Sequence, residues 1–128
     1  MRNTLSAAVL LAALSGPALA QQAGTYAVEG QGADGSRYQG TATLASTGNN
    51  TWRVTWQVGG DRAQGVGFLI PEGPLLVVGY VLGNQIGAAA YAVQPDGSLR
   101  GTWTQGQGGG IGTEILTPAG GGGAAPRK

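Results

Sequence analysis

The residues that most often carry out chemistry are missing from this sequence. Its 128 residues include no histidine and no cysteine. Histidine is the usual general base near neutral pH, and the cysteine thiolate is a common nucleophile and zinc ligand. Ser–His–Asp sites, Cys–His sites, disulfides and zinc–thiolate centres are therefore excluded. We expect a protein that is not an enzyme, with no catalytic residue, no metal site and no cofactor.

The acidic residues stand apart from one another. Glu29 and Glu72 have no second acid at a spacing that forms the carboxylate pair of a glycosidase. Asp34 and Asp96 each begin an Asp-Gly-Ser turn. One carboxylate per turn makes a weak calcium site, so turn geometry is the favoured explanation for both. The glycine-rich run 106–112 precedes a strand and has no lysine, so it does not indicate a phosphate-binding loop.

Glu114 is the most informative charged residue. The alternation of the last strand permits two orientations. In one, Glu114 and Leu116 point to the interior together, and the carboxylate needs an arginine or a tyrosine hydroxyl as partner. In the other, Ile111, Thr113 and Ile115 point inwards and Glu114 is exposed. The sequence leaves both orientations open.

Aromatic residues form the main constellation. Six of them fall on the predicted inward positions: Tyr26, Tyr38, Trp52, Trp56, Tyr91 and Trp103. These rings could line a ligand cavity, or they could fill a core that otherwise consists of glycine, alanine and valine. The filled core is the favoured interpretation. If there is a cavity, its candidate ligand-binding residues are Trp52, Trp56, Trp103, Tyr38, Tyr91 and Glu114.

The elements that position these residues are strands. Turn signals rich in Gly, Asn, Asp and Pro recur at short intervals. They separate eight predicted strands, at 24–29, 37–46, 51–58, 62–70, 75–82, 86–94, 98–105 and 111–117. The strand 51–58 alternates most clearly, with Trp52, Val54, Trp56 and Val58 on one face. Such alternation is typical of antiparallel sheets with one buried face.

Eight short strands with short connections predict an all-β, antiparallel meander that closes into a small barrel. Glycines assigned to the inward face suit a strongly coiled sheet; they are Gly40, Gly65, Gly67, Gly79 and Gly101. A two-sheet sandwich is the less favoured alternative.

Two successive strands are apolar at nearly every position. The strand 75–82 is expected to be buried on both sides or covered by a partner, and 86–93 is rich in alanine and glycine. Together, residues 75–93 form a candidate dimer interface.

Residues 1–20 have the three parts of a secretory signal peptide. Arg2 is followed by an apolar stretch and by Ala18-Leu19-Ala20, a small-x-small cleavage site. The apolar stretch is shorter than the ~20 residues of a membrane span. We therefore predict a cleaved signal peptide at 1–20, a β-barrel domain at 21–118 and a flexible glycine-rich tail at 119–128. The expected location is periplasmic or secreted, with no membrane span after cleavage.

Charge argues against some partners. Between the predicted signal peptide and the terminal Arg127-Lys128 lie four arginines, no lysine and six acids. Nucleic acids and anionic membrane surfaces attract clustered basic residues, so neither is an expected partner.

Several motifs occur in a fixed order: Tyr26-x-Val28-x-Gly30, Asp34-Gly35-Ser36-x-Tyr38-x-Gly40, Trp52-x-Val54-x-Trp56-x-Val58-Gly59, Gly65-x-Gly67, Asp96-Gly97-x-Leu99-x-Gly101-x-Trp103 and Gly112-x-Glu114. In this order, across roughly residues 24–118, they resemble a family of small exported β-proteins of Gram-negative bacteria. Some members carry the label fibronectin-binding protein, which implies an adhesin-like role and an extracellular protein or matrix partner. The predicted architecture is also similar to avidin and lipocalin barrels.

The sequence thus predicts an exported, non-enzymatic barrel that binds a partner or serves the cell envelope structurally. The alternative is a small-molecule binder with an aromatic-lined pocket inside the barrel.

Overall fold

The computed structural model describes residues 22–119. The predicted signal peptide and residues 120–128 of the predicted tail lie outside this range. The chain forms eight strands: β1 (Gly24–Gln31), β2 (Arg37–Gly48), β3 (Thr51–Val58), β4 (Asp61–Ile70), β5 (Leu75–Leu82), β6 (Gln85–Val93), β7 (Leu99–Gln105) and β8 (Gly112–Pro118).

The eight strands close into one antiparallel barrel. Each strand pairs with the next along the chain, and β8 pairs back with β1, where Val28 lies opposite Leu116. The predicted barrel is confirmed, and the sandwich alternative is wrong. The predicted strand limits agree with the observed limits to within two residues.

Alternation of side chains decides which face of each strand is buried. In β3, Trp52, Val54 and Trp56 are buried inside the barrel, whereas Arg53 between them is exposed. Because side chains in a strand alternate between its two faces, the polar-apolar pattern fixes the register of the sheet.

Short turns join the strands. Asn49 and Asn50 connect β2 to β3 with φ values of 56° and 61°, the left-handed conformation that asparagine tolerates in tight hairpins. In the turn between β1 and β2, Oδ1 of Asp34 accepts hydrogen bonds from the backbone N–H and the hydroxyl of Ser36, at 3.0 and 2.8 Å. Asp96 and Ser98 repeat this arrangement between β6 and β7, at 2.9 and 2.7 Å. Turn geometry therefore explains both aspartates.

The two ends of the barrel differ. We call the end that carries the connections after β1, β3, β5 and β7 the open end, and the end that carries those after β2, β4 and β6 the closed end. The closed end and the middle are filled by apolar side chains, each at most 1% exposed: Tyr26, Val28, Leu44, Val54, Leu76, Val78, Tyr91, Leu99 and Leu116. This packing is the hydrophobic core of the protein.

Glycines let neighbouring strands approach closely inside the barrel. A Cβ atom on Gly65 would lie 2.6 Å from the carbonyl oxygen of Gly79, and one on Gly67 would lie 2.7 Å from that of Val77. Gly40 and Gly101 meet backbone carbonyls in the same way, as predicted. The prediction for Gly79 is wrong. It faces outwards, and a Cβ there would meet nothing within 4 Å.

The outer surface of β5 and β6, and of β4 from Val66 onwards, is apolar, whereas Arg62 and Gln64 at the start of β4 are exposed and polar. Leu76, Val78, Tyr80 and Leu82 point inwards, so the other side chains of β5 point outwards. Exposed on this surface are Val66 at 69%, Phe68 at 50%, Val81 at 52% and Ile86 at 75%. Within a single chain, β5 is therefore buried on one side only. Residues 22–119 contain no helix with the length and hydropathy needed to cross a bilayer.

Candidate functional site at the open end of the barrel

The interior of the open end contains a cavity of about 220 Å³. Its walls are mostly aromatic and aliphatic, with polar groups at the floor and mouth. The lining residues are Tyr38, Trp56, Val58, Asp61, Ala63, Tyr80, Leu82, Trp103, Gln105 and Glu114. A cavity of ~150 Å³ can hold benzene. This one therefore has room for a single substituted ring or a compound of similar size.

Glycines explain why the aromatic walls leave the centre open. Tyr38, Tyr80 and Trp103 each lie directly opposite a glycine on the neighbouring strand: Gly30, Gly87 and Gly112, respectively. The space where each glycine would carry a Cβ is occupied by the aromatic ring. Each ring therefore lies flat against the barrel wall, as in the pairing of aromatic residues with glycine in β-sheets.

Hydrogen bonds hold two of these rings in place. The hydroxyl of Tyr80 donates to Oε1 of Gln105 at 3.0 Å and lies 3.3 Å from the carbonyl oxygen of Thr104. The indole N–H of Trp103 donates to the carbonyl oxygen of Thr113 at 3.3 Å. These bonds join β5 to β7 and β7 to β8, and they keep the rings at the wall.

The aromatic residues also contact one another across the cavity wall. Trp56 and Tyr80 have ring centroids 5.2 Å apart, and Tyr38 and Trp103 meet edge to face at 6.2 Å. Both distances lie in the range for favourable aromatic pairs. The wall is therefore preorganised around the empty volume.

Glu114 lies at the floor of the cavity and is only 6% exposed. Leu116 points inwards, so the alternative in which Glu114 is exposed is wrong. The hydroxyl of Tyr91, from below, donates a hydrogen bond to Oε1 of Glu114 at 3.2 Å. This is the tyrosine partner that an inward carboxylate was expected to need.

Burial raises the pKa of Glu114 to about 7, because loss of water disfavours the charged carboxylate. The donors of Tyr91, Tyr38 and Trp56, which face the carboxyl group, act in the opposite direction. Burial and the nearby carboxylate raise the pKa of Tyr80 to about 12 and that of Tyr91 well above its usual value. At neutral pH, Glu114 is therefore the group in the cavity that gains and loses a proton.

One donor at the cavity is not fully used. The indole Nε1 of Trp56 is buried and faces the carboxyl group of Glu114, but no acceptor in residues 22–119 lies within hydrogen-bond geometry of it. A buried donor without a partner is costly, and such groups often mark a functional site.

The structure brings most of the predicted ligand-binding residues together. Trp56, Trp103, Tyr38 and Glu114 line the cavity, and Tyr91 supports its floor. Trp52 lies in the packed closed end, beside Leu44 and Val54, and does not reach the cavity.

Sequence reasoning missed several lining residues. Tyr80, Asp61, Ala63, Leu82 and Gln105 line the cavity but were not among the predicted ligand-binding residues. The signal that identifies Tyr80 is its pairing with Gly87, and this pairing becomes visible only when the register between β5 and β6 is known.

A second depression lies on the outer surface beside β1, β7 and β8. It measures about 320 Å³ and is bordered by the charged side chains of Glu29, Arg37 and Arg100. It lacks aromatic walls. Within the described part of the chain, no three acidic side chains come together in a way that could hold a metal ion.

The sequence matches no protein-family model. It also matches no curated protein at a significant level. Designed proteins are among the solved structures with a similar fold. A redesigned β-barrel has 19% sequence identity to this protein and a TM-score of 0.65, and the matched region covers 74% of this chain and 89% of the designed chain. The redesigned barrel mFAP1 bound to DFHBI is 17% identical with a TM-score of 0.64, covering 74% and 93%. A de novo designed fluorescence-activating barrel is 15% identical with a TM-score of 0.59, covering 79% and 96%. At these identities the likeness shows the fold.

Proposed function

We propose that this protein is an exported binding protein that holds one small, largely apolar molecule in the open end of its barrel. The observation that carries the proposal is the cavity of about 220 Å³ with aromatic walls and a single buried carboxyl group at its floor. Ligand sites are concave and mostly apolar, with few polar groups that fix orientation. The designed barrel mFAP1, which has a similar fold, is described in complex with the small molecule DFHBI.

The division of the barrel supports this function. The closed end supplies the hydrophobic core, so the fold does not need the open end to be filled. At the open end, glycines hold three rings against the wall and keep the volume free. The sequence alone favoured a filled core. The cavity instead supports the small-molecule alternative, while the adhesin role implied by resemblance stays a prediction.

Native mass spectrometry of protein purified without denaturation tests the proposal. We expect a discrete small-molecule adduct on the protein. Ala63 lies in the cavity wall, so Ala63→Phe should fill the cavity and remove the adduct. Ala45→Phe adds the same side chain on the exposed outer surface of β2 and should retain it. An adduct that survives in Ala63→Phe would show that the ligand binds elsewhere. If the protein carries no adduct and takes up no small aromatic compound in titration, the proposal is wrong.

A second candidate function, self-association, is favoured by the apolar outer surface of β4, β5 and β6. The strands are ~4.8 Å apart and each runs for about 25 Å, so the apolar part of this surface covers roughly 300 Å². The polar outer side chains of β3, of β7 and of the start of β4 extend the footprint to roughly 600 Å², about three quarters of the ~800 Å² per partner of a stable interface. An apolar centre with a polar rim is the usual anatomy of such a contact. We propose that a second copy of this chain covers this surface.

Sedimentation equilibrium tests this candidate. The wild-type protein and Thr25→Lys, on the exposed outer surface of β1 outside this footprint, should both be dimers at micromolar concentration. Phe68→Lys places a charge inside the apolar surface and should be a monomer. A monomeric wild type, or a dimer that Phe68→Lys leaves intact, would rule out this interface.

A further inference from the structure

The charges that face the cavity are all negative. Glu114 lies at its floor and Asp61 at its mouth, and no lysine or arginine of the described chain lines it. The four arginines of residues 22–119, Arg37, Arg53, Arg62 and Arg100, are all exposed on the outer surface. An anionic ligand would therefore meet two carboxyl groups and no compensating cation.

The walls add a second attraction for positive charge. Tyr38, Trp56, Tyr80 and Trp103 come from four different strands and surround the volume above Glu114. The face of an aromatic ring attracts a cation, most strongly when the ring is tryptophan and water is excluded. Aromatic walls with a carboxylate form the arrangement that recognises ammonium groups.

We propose that the ligand of this cavity is a small organic cation, an ammonium group carried on an apolar body, whose charge lies above Glu114 between the four aromatic rings. This inference rests on the proposed function and adds the chemical class of the ligand. The remaining alternative is an uncharged ligand that accepts hydrogen bonds from the Trp56 indole and from protonated Glu114.

Proton linkage separates these two ligand classes. A cation binds best when Glu114 is ionised, whereas an uncharged acceptor binds best when it is protonated. Because the pKa of Glu114 is about 7 in the free protein, affinity for a cation should rise with pH up to about 7 and then level off. Tyr38 from β2, Tyr80 from β5 and Tyr91 from β6 face the carboxyl group, and their raised pKa values keep them neutral over this range.

Two probes of the same shape isolate the charge. Benzyltrimethylammonium is a permanent cation, and neopentylbenzene has the same outline with carbon in place of nitrogen. Affinity is measured by calorimetry from pH 5 to pH 9 on the protein as purified. We expect the cation to bind at least about tenfold more tightly than its neutral counterpart at pH 8, with most of this advantage lost at pH 5.

Matched variants locate the effect. Glu114→Gln should weaken binding of the cation about tenfold or more and remove its pH dependence, and it should change binding of neopentylbenzene by less than about threefold. Glu72→Gln makes the same chemical change in the exposed turn at the closed end and should leave both affinities unaltered.

The outcomes separate this inference from the proposed function. If neopentylbenzene binds as tightly as the cation, or if the cation binds equally well to Glu114→Gln, the inference is wrong and the small-molecule site stands. If neither probe binds at any pH, both proposals fail.

Discussion

Replacing Gly87 by alanine should close the cavity while leaving the barrel folded. A Cβ at Gly87 would overlap the Cζ of Tyr80 and lie 2.5 Å from its Cε1 and 2.6 Å from its hydroxyl oxygen. All three atoms belong to the far end of the Tyr80 side chain, which can move. The ring should therefore tilt away from the wall and into the lumen.

The energetic consequences of this tilt can be worked out from the contacts of Tyr80. Its hydroxyl would lose its bond to Gln105 and its contact with Thr104, at 3.0 and 3.3 Å. Each is worth about 0.5–1.5 kcal/mol, and a strained rotamer adds a similar cost. Alanine also restricts the unfolded chain more than glycine does, which raises the free energy of unfolding by about 0.4–1 kcal/mol. We expect a net destabilisation of about 2 kcal/mol.

The effect on binding should be of similar size. A benzene-sized ring fills a cavity of ~150 Å³, so the displaced Tyr80 ring would occupy most of the 220 Å³ available. Affinity for neopentylbenzene should fall at least about tenfold, since binding would require the ring to move back against the added methyl group at a cost of ~1.4 kcal/mol or more.

Gly79→Ala is the matched control. Gly79 lies on β5 next to Tyr80 but faces outwards, with nothing within 4 Å of its Cβ position. It should bind as the wild type does and be equally stable or slightly more stable. Urea denaturation and calorimetric titration measure both quantities for the two variants. Wild-type affinity in Gly87→Ala would refute the argument that glycine keeps the ring at the wall.

Three further predictions follow from the interior. Glu114 has a pKa of about 7 when folded, against 4.5 for a free side chain, so the folded state binds its proton more tightly than the unfolded state does. The contribution of Glu114 to the free energy of unfolding should therefore be greatest below pH 4.5 and should fall by up to roughly 3 kcal/mol as pH rises to 7. Urea denaturation at several pH values should show this decrease for the wild type and not for Glu114→Gln. Leu116→Ala, in the packed core, should cost about 2–5 kcal/mol of unfolding free energy in the same assay. Trp52→Phe should cost less than Leu116→Ala, because the indole Nε1 of Trp52 is buried without a hydrogen-bond partner in the described chain; thermal unfolding compares the two variants.

Much of the fold could be predicted from the sequence because alternation and turn chemistry act locally. The pattern of Trp52, Val54 and Trp56 fixed the inward face of β3, and the Asp34 and Asp96 turns fixed two strand ends. An antiparallel meander with short connections then has few ways to bury its apolar face, and closure removes its edges.

Where the pattern was uniform, the sequence did not determine the face. β5 is apolar at nearly every position, so its parity could not be read, and Gly79 was assigned to the wrong side. β8 had two acceptable parities, so the position of Glu114 depended on how β8 pairs with β1 and β7. Long-range pairing decides these cases, and a single strand does not contain that information.

The cavity depends on the same long-range pairing. The alternation along the strands predicts that six aromatic residues point inwards, but not whether their rings fill the centre. The answer lies in the register that places Gly30, Gly87 and Gly112 opposite Tyr38, Tyr80 and Trp103. Only this pairing shows that the rings lie against the wall.

The central claim is that the open end of the barrel binds a ligand and the closed end is packed. Nuclear magnetic resonance of the three tryptophan indole N–H groups tests it, during titration with benzyltrimethylammonium and with neopentylbenzene. Trp56 and Trp103 line the cavity, and Trp52 lies in the packed end. The account predicts that one or both probes shift the signals of Trp56 and Trp103 and leave that of Trp52 in place. Unchanged signals from Trp56 and Trp103 with both probes, or a shift of Trp52 as large as theirs, would contradict it.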